Sequence, residues 1–264
     1  MNNIGDCRRI TVKIGSSTLT HAATGRLNIR RIEALVRVLS DMKNAGKEVV
    51  LVSSGAVAAG ASKLGLPMQK RTLAEKQALA AVGQTELMRL YERLFASYGH
   101  SVGQILMTKD VVDDPHRLEL VTNTFKMLFD LGCVPIVNEN DSVSSEELQF
   151  GGNDTLSAYV ATVCSSDLLV NLTDIDGLYD SDPRKNPDAK LIRRVEALDD
   201  RILSFAGGAG TERGTGGMAT KLKAAGIVSE RGIPMIIMNG RDPLKLYSIL
   251  DGESIGTYFD PKSR

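Results

Sequence analysis

The sequence predicts an α/β protein built on a buried, mainly parallel β-sheet with helices on both faces, and three observations point there. Short runs rich in β-branched and aliphatic residues alternate with longer helical patterns from one end of the chain to the other. The runs are nearly continuous in apolar residues, as strands covered on both faces must be. Small polar residues flanked by glycine collect at their carboxyl ends, where open α/β sheets bind ligands.

In chain order, RITVKIG around Ile10 is the first strand, and residues 29–44 form a helix. KEVVLVSSG around Val50 is the second strand, followed by a helix over 74–98. VGQILMT around Ile105 and a helix over 116–131 come next, then CVPIVNEN around Ile136 and a helix over 155–164. DLLVNLTD around Val170 and IPMIIMNG around Ile236 complete the apolar runs. Residues 177–194, GLYDSDPRKNPDAKLIRR, interrupt the rhythm with Asp, Pro, Asn and charge, and are expected to be an exposed loop or hairpin. The motifs fall into two groups, so a single domain of two lobes is expected, roughly 1–165 and 166–264.

Bulk properties narrow the function. The chain has 264 residues, 42% hydrophobic and 24% charged, enough for a substantial core. Its 32 basic and 32 acidic side chains balance, Trp is absent and aromatics are 5%. A basic stripe and stacking platforms are therefore both lacking, so no nucleic-acid partner is expected. Neither a signal-like apolar core in MNNIGDCRRI nor a run long enough to span a bilayer is present, so no membrane partner is expected. Cys7, Cys133 and Cys164 are odd in number and far apart, which fits a reducing, cytoplasmic location better than a disulfide frame.

The chemistry-bearing residues sit at the strand ends: Lys13-Ile14-Gly15-Ser16-Ser17, Ser53-Ser54-Gly55, Asn138-Glu139-Asn140-Asp141 and Thr173-Asp174. Taken singly, Ser54-Gly55 reads equally well as a helix cap, and Asn140-Asp141 as a turn. Lys13 is harder to dismiss, because an ammonium inside an apolar strand needs a partner. FGGNDTLSAYVA places Asn153-Asp154 before an apolar helix, and capping explains one of that pair but not both.

GTGGMATK, residues 214–221, resembles a P-loop but lacks the Gly-Lys-Ser/Thr ending. It feeds a helix over 218–231 with Lys221 in or near its first turn, where a cation is disfavoured unless an anion is present. Were Lys13 and Lys221 to face one another at about 4 Å, they would repel by roughly 4 kcal/mol at an effective dielectric of about 20. A phosphoryl group between them would turn that repulsion into attraction.

VKIGSS, VSSGAVAAG, LAAVGQ, VNENDSVS, FGGNDTLSA, LTDIDGLYDSDPR and GTGGMATK, in this order, resemble the amino-acid kinase superfamily, and within it the glutamate 5-kinase family. The resemblance implies a three-layer α/β/α sandwich with a mainly parallel central sheet, acceptor site N-terminal and ATP site C-terminal. It implies transfer of the ATP γ-phosphoryl to the γ-carboxylate of L-glutamate, the first step of proline biosynthesis, with Mg2+ on the nucleotide and no protein metal site. Catalytic roles map to Lys13, Lys221 and Asp154, the last orienting both lysines. Glutamate binding maps to Ser54, Asp141 and Asn153. ATP binding maps to Lys13, Thr173, Asp174, Thr215, Gly216, Gly217, Met218, Ala219, Thr220 and Lys221.

The resemblance further implies a homodimer or homotetramer, with proline as feedback inhibitor. The chain stops at GTYFDPKSR, without the C-terminal PUA domain that many relatives carry, so the short form is expected. Two rival readings are a non-catalytic nucleotide or amino-acid sensor and a kinase of the same superfamily with another acceptor. Retention of Lys13, Asp154 and Lys221 together argues against the sensor.

Overall fold

The computed structural model describes residues 4–67, 71–144, 150–206 and 217–262. Within them the chain runs β1 (Arg9–Ile14), α1 (Ser16–Leu19), α2 (Ile29–Asn44), β2 (Glu48–Ser53), α3 (Ala56–Lys63), α4 (Leu73–Ala96) and β3 (Val102–Met107). Next come α5 (Asp110–Asp113), α6 (Pro115–Asp130), β4 (Val134–Glu139), α7 (Asn153–Val163) and β5 (Leu168–Thr173). The rest is β6 (Arg194–Val195), α8 (Asp200–Ser204), α9 (Met218–Ser229), β7 (Met235–Asn239), α10 (Leu246–Leu250) and β8 (Thr257–Phe259).

Local chemistry sets several of these boundaries. Thr72 and Glu75 form a reciprocal capping box that starts α4, and Asp114 caps α6 with Pro115 in its first turn. The expected helices and apolar strands all form, within a few residues of their expected limits. Two short strands were not foreseen, β6 and β8, because neither is long enough to show a period. Residues 177–194 are pinned as well as exposed: Leu178 is buried, and Tyr179 bridges Leu191 in antiparallel fashion.

All the strands join one 8-stranded sheet in the order β3-β4-β2-β1-β5-β7-β8-β6. Pairing is parallel throughout except between β7 and β8. From β1 the chain steps to β2 on one side and later returns to β5 on the other. Such a reversal opens a crevice beyond the carboxyl ends of the two strands, the usual place for a ligand in this architecture.

Alternation along the strands separates the two faces. Ile10, Val12, Ile14, Leu51, Val170, Leu172 and Ile236 pack with α2, α4 and α10. The opposite face packs against α6, α7 and α9, through Val50, Val52 and Val137 at one end and Leu169, Met235 and Ile237 at the other. Odd-numbered residues of β1 and β5 share that second face, so Lys13 and Asn171 lie beneath α7. Both helical layers are apolar against the sheet, which makes the three-layer sandwich.

Helices α3 and α4 cross with backbones nearly touching at Gly60 and Gly83. A Cβ on Gly83 would lie 1.7 Å from the carbonyl oxygen of Ala56 and 2.4 Å from the nitrogen of Gly60. Backbone atoms cannot rotate away as a side chain can. Gly83→Ala is therefore expected to destabilise the protein by about 1–3 kcal/mol or more, read as a lowered thermal midpoint. An unchanged midpoint would mean that the two helices do not cross this closely.

Candidate active site

Three elements bring charge into the crevice. Lys13 is the penultimate residue of β1, with Gly15 immediately beyond the strand's end. Asp154 lies in the first turn of α7, after Gly151 and Gly152, whose φ of 78° and 112° suit glycine far better than a residue with a side chain. Lys221 lies in the first turn of α9. Lys13, Asp154 and Lys221 are only 5%, 1% and 4% exposed.

Asp154 holds the centre. Its Oδ1 accepts from Lys13 Nζ at 2.5 Å and from Asn171 Nδ2 at 2.8 Å. Its Oδ2 accepts from Lys221 Nζ at 3.0 Å and from Thr220 Oγ1 at 2.7 Å. Thr220 Oγ1 also lies 2.8 Å from the carbonyl of Gly217. A hydroxyl has one proton, and the carboxylate is its stronger acceptor. The anion that reconciles the two lysines in the protein is thus Asp154, where charge considerations alone had pointed to a phosphoryl group.

Burial by itself would push the Asp154 carboxyl up. The charges of Lys13 and Lys221, with hydrogen bonds from Lys13 and Asn171, outweigh it and hold that carboxyl well below the usual carboxylate range. Burial pushes the Lys13 ammonium down, Asp154 pulls it back, and the charge of Lys221 pushes it down again. Helices α7 and α9 both direct their N-termini here, which adds positive potential suited to an anion.

Beside this triad lies a polar cluster at the ends of β2 and β4. Asn153 Nδ2 donates to Ser54 Oγ at 2.8 Å and to Asn138 Oδ1 at 2.9 Å, and Asn138 Nδ2 donates to Gln84 Oε1 at 2.9 Å. Glu139 Oε1 accepts from the backbone N–H of Phe150 at 3.0 Å and from Ser144 Oγ at 3.3 Å. That carboxylate ties the end of β4 to the approach of α7. Asp141 is half-buried, and among the described residues no hydrogen bond joins it to Ser54 or Asn153. Burial raises its carboxyl above the ordinary value.

The remaining expected positions are distributed around the crevice. Thr173 is buried at the end of β5 and donates to Asp174 Oδ1 at 3.2 Å, while Asp174 is exposed and its charge reaches Lys13 and Arg184. Gly217 caps α9; Met218 packs on the core beneath it and Ala219 faces outward. Thr215 and Gly216 lie outside the described residues. Sequence reasoning singled out the strand end that contains Asn138 without giving that residue a role, and it overlooked Asn171 and Gln84 as parts of the site. An asparagine inside the apolar run DLLVNLTD was the one available signal for Asn171.

A match to the Amino acid kinase family spans residues 8–239. A glutamate 5-kinase of Clostridium perfringens is 51% identical over 261 residues, covering 97% of both chains. The chain belongs to the glutamate 5-kinase branch of the amino acid kinase family. A second glutamate 5-kinase, from Clostridium tetani, is 52% identical over 255 residues, covering 97% of this chain and 95% of its own. Among solved structures, the UMP kinase of Bacillus anthracis shares the fold with a TM-score of 0.65 at 18% identity, covering 97% of each chain. No helix among the described residues is long and apolar enough to cross a membrane.

Proposed function

We infer that this protein transfers the γ-phosphoryl group of ATP to the γ-carboxylate of L-glutamate, giving L-glutamyl 5-phosphate and ADP. The observation that carries the reading is the buried Lys13–Asp154–Lys221 triad, set at the sheet's reversal point beside the polar cluster of Ser54, Asn153 and Asn138. Membership of the glutamate 5-kinase branch supplies the acceptor.

Residue roles follow from chemistry. A carboxylate is ionised at neutral pH and needs no general base, which suits a triad containing no histidine. Catalysis then consists of alignment and charge neutralisation. Lys13 and Lys221 flank the transferring phosphoryl, and Asp154 keeps two like charges together in its absence. Strands β3, β4, β2 and β1 carry the acceptor side, and β5, β7, β8 and β6 the nucleotide side, so the proposed lobe boundary near 165 runs between β1 and β5. Thr173, Asp174 and the start of α9 border the nucleotide.

Among the described residues no group of three or more metal-ligating side chains forms. Isolated carboxylates with two nearby ammoniums suit a divalent ion that arrives on the polyphosphate and keeps its waters. Mg2+ arriving in that way would supply neutralisation of the polyphosphate charge, alongside Lys13 and Lys221.

Ser54 and Asn153 present a hydroxyl and an amide to the acceptor. Asp141 is the carboxylate suited to its α-ammonium, since burial has already made its unpaired charge unfavourable. L-Proline shares that ammonium and α-carboxylate and would compete for the same groups. Asp141→Asn is expected to raise the KM for glutamate about tenfold or more, the effect of losing roughly 1.4 kcal/mol, with the KM for ATP within about twofold. Equal losses for both substrates would remove Asp141 from the acceptor site.

The test of the function is ADP release from Mg·ATP with L-glutamate, N-acetylglutamate, aspartate or no acceptor. Release that depends on L-glutamate is the expected result. Release with another acceptor alone would move the chain to a different substrate, and binding of ATP without turnover would favour a sensor.

A further inference from the structure

We propose that Asn171 is a positioning residue that holds the Asp154 carboxylate in place while Lys13 and Lys221 engage the transferring phosphoryl group. The proposal rests on the phosphoryl-transfer reading above and assigns a task within it to a residue that the family motifs did not include.

Each oxygen of Asp154 receives one ammonium and one neutral donor: Lys13 with Asn171 on Oδ1, and Lys221 with Thr220 on Oδ2. A phosphoryl group entering between the lysines competes for both ammoniums, and their stems are flexible. A carboxylate held only by them would turn to follow whichever it kept. The neutral donors carry no charge to be drawn away.

Asn171 is the better anchored of the two. It sits in β5, a central strand, in direct register with Lys13 of β1, and is fully buried. Thr220 divides its surroundings between Asp154 and the carbonyl of Gly217. The one side-chain hydrogen bond of Asn171 among the described residues goes to Asp154.

The asparagine is also unfavourable for packing. Its Oδ1 is buried without a hydrogen-bond partner, in a strand whose neighbours Val170 and Leu172 are apolar. An unpaired buried acceptor costs folding free energy that a leucine of similar size would avoid. A polar residue kept at such a position points to a task at the triad.

The experiment compares wild type with Asn171→Leu and Asn171→Val, the second because its branched side chain suits a strand and, like leucine, offers no donor. Steady-state kcat, both KM values and the thermal midpoint are read for each. Expected is a loss of kcat of about 10- to 100-fold, the range for a small misplacement at a reacting centre. KM values for glutamate and ATP should stay within about twofold, and the midpoint of the leucine variant should be unchanged or higher.

A kcat within twofold of wild type in either folded variant would overturn the proposal. So would a loss of kcat that only tracks a lowered midpoint, since that describes a packing role. A wild-type protein that releases no ADP with glutamate would instead remove the catalytic reading on which the proposal stands.

Discussion

Asp154→Asn is expected to cut turnover and lower stability together, because one carboxylate serves both. In the wild type it neutralises two ammoniums that are almost wholly buried. The amide keeps the shape and removes the charge. Two like charges then remain out of water with no counter-ion. Breaking a buried ionic arrangement by removing one partner typically costs about 3–5 kcal/mol. Lys13, already pushed down by burial, would shed its proton more easily under that strain. The lost charge is one the transferring phosphoryl requires. A fall in kcat of about a thousandfold or more is expected, since losing one oriented donor to a developing charge costs about 10²- to 10³-fold and here two are disturbed. Steady-state assays with a thermal melt of the same preparation check both halves. A variant that keeps more than a tenth of wild-type kcat would remove Asp154 from the centre of the site.

Lys221→Met separates the two effects. The methionine retains most of the stem's bulk, and Asp154 keeps Lys13, Asn171 and Thr220 as donors. The carboxylate remains neutralised, so the fold should melt close to wild type. Turnover should still fall by about 10²- to 10³-fold, with the KM for glutamate little changed, because Ser54, Asn153 and Asn138 are held by hydrogen bonds to one another that do not involve Lys221. Lys221→Arg should not restore it, since a planar guanidinium cannot replace a compact ammonium in so closed a position. A large rise in the glutamate KM with unchanged kcat would make Lys221 an acceptor ligand and overturn this role.

Most of the fold was legible because its strands are buried on both faces and alternate with long helical patterns. The caps that start two of those helices, Thr72 with Glu75 and Asp114 before Pro115, are seen in the structure. The short strands β6 and β8 were hidden, since two or three residues stabilised by neighbours from distant parts of the chain carry no period of their own. The site was legible in its charged members. A lysine in an apolar strand and an aspartate after two glycines are conspicuous, and the structure joins both to Lys221. Its neutral members were legible only in part. Ser54, Asn138 and Asn153 stood at strand ends or beside glycines, whereas Asn171 and Gln84 act through partners on other strands and helices, and only the sheet register and the contact of Gln84 with Asn138 reveal them. Thr220, expected to border ATP, also donates its hydroxyl to Asp154, a contact with no mark in the sequence.

The central claim is that the protein makes an acyl phosphate on glutamate through the Lys13–Asp154–Lys221 triad. The most direct measurement traps that product with hydroxylamine during turnover of Mg·ATP and L-glutamate, and identifies the hydroxamate by mass. γ-Glutamyl hydroxamate from the wild type, in step with ADP and absent from Asp154→Asn, is the expected result. ADP formed with no hydroxamate, or hydroxamate formed equally well by the Asp154→Asn protein, would contradict it.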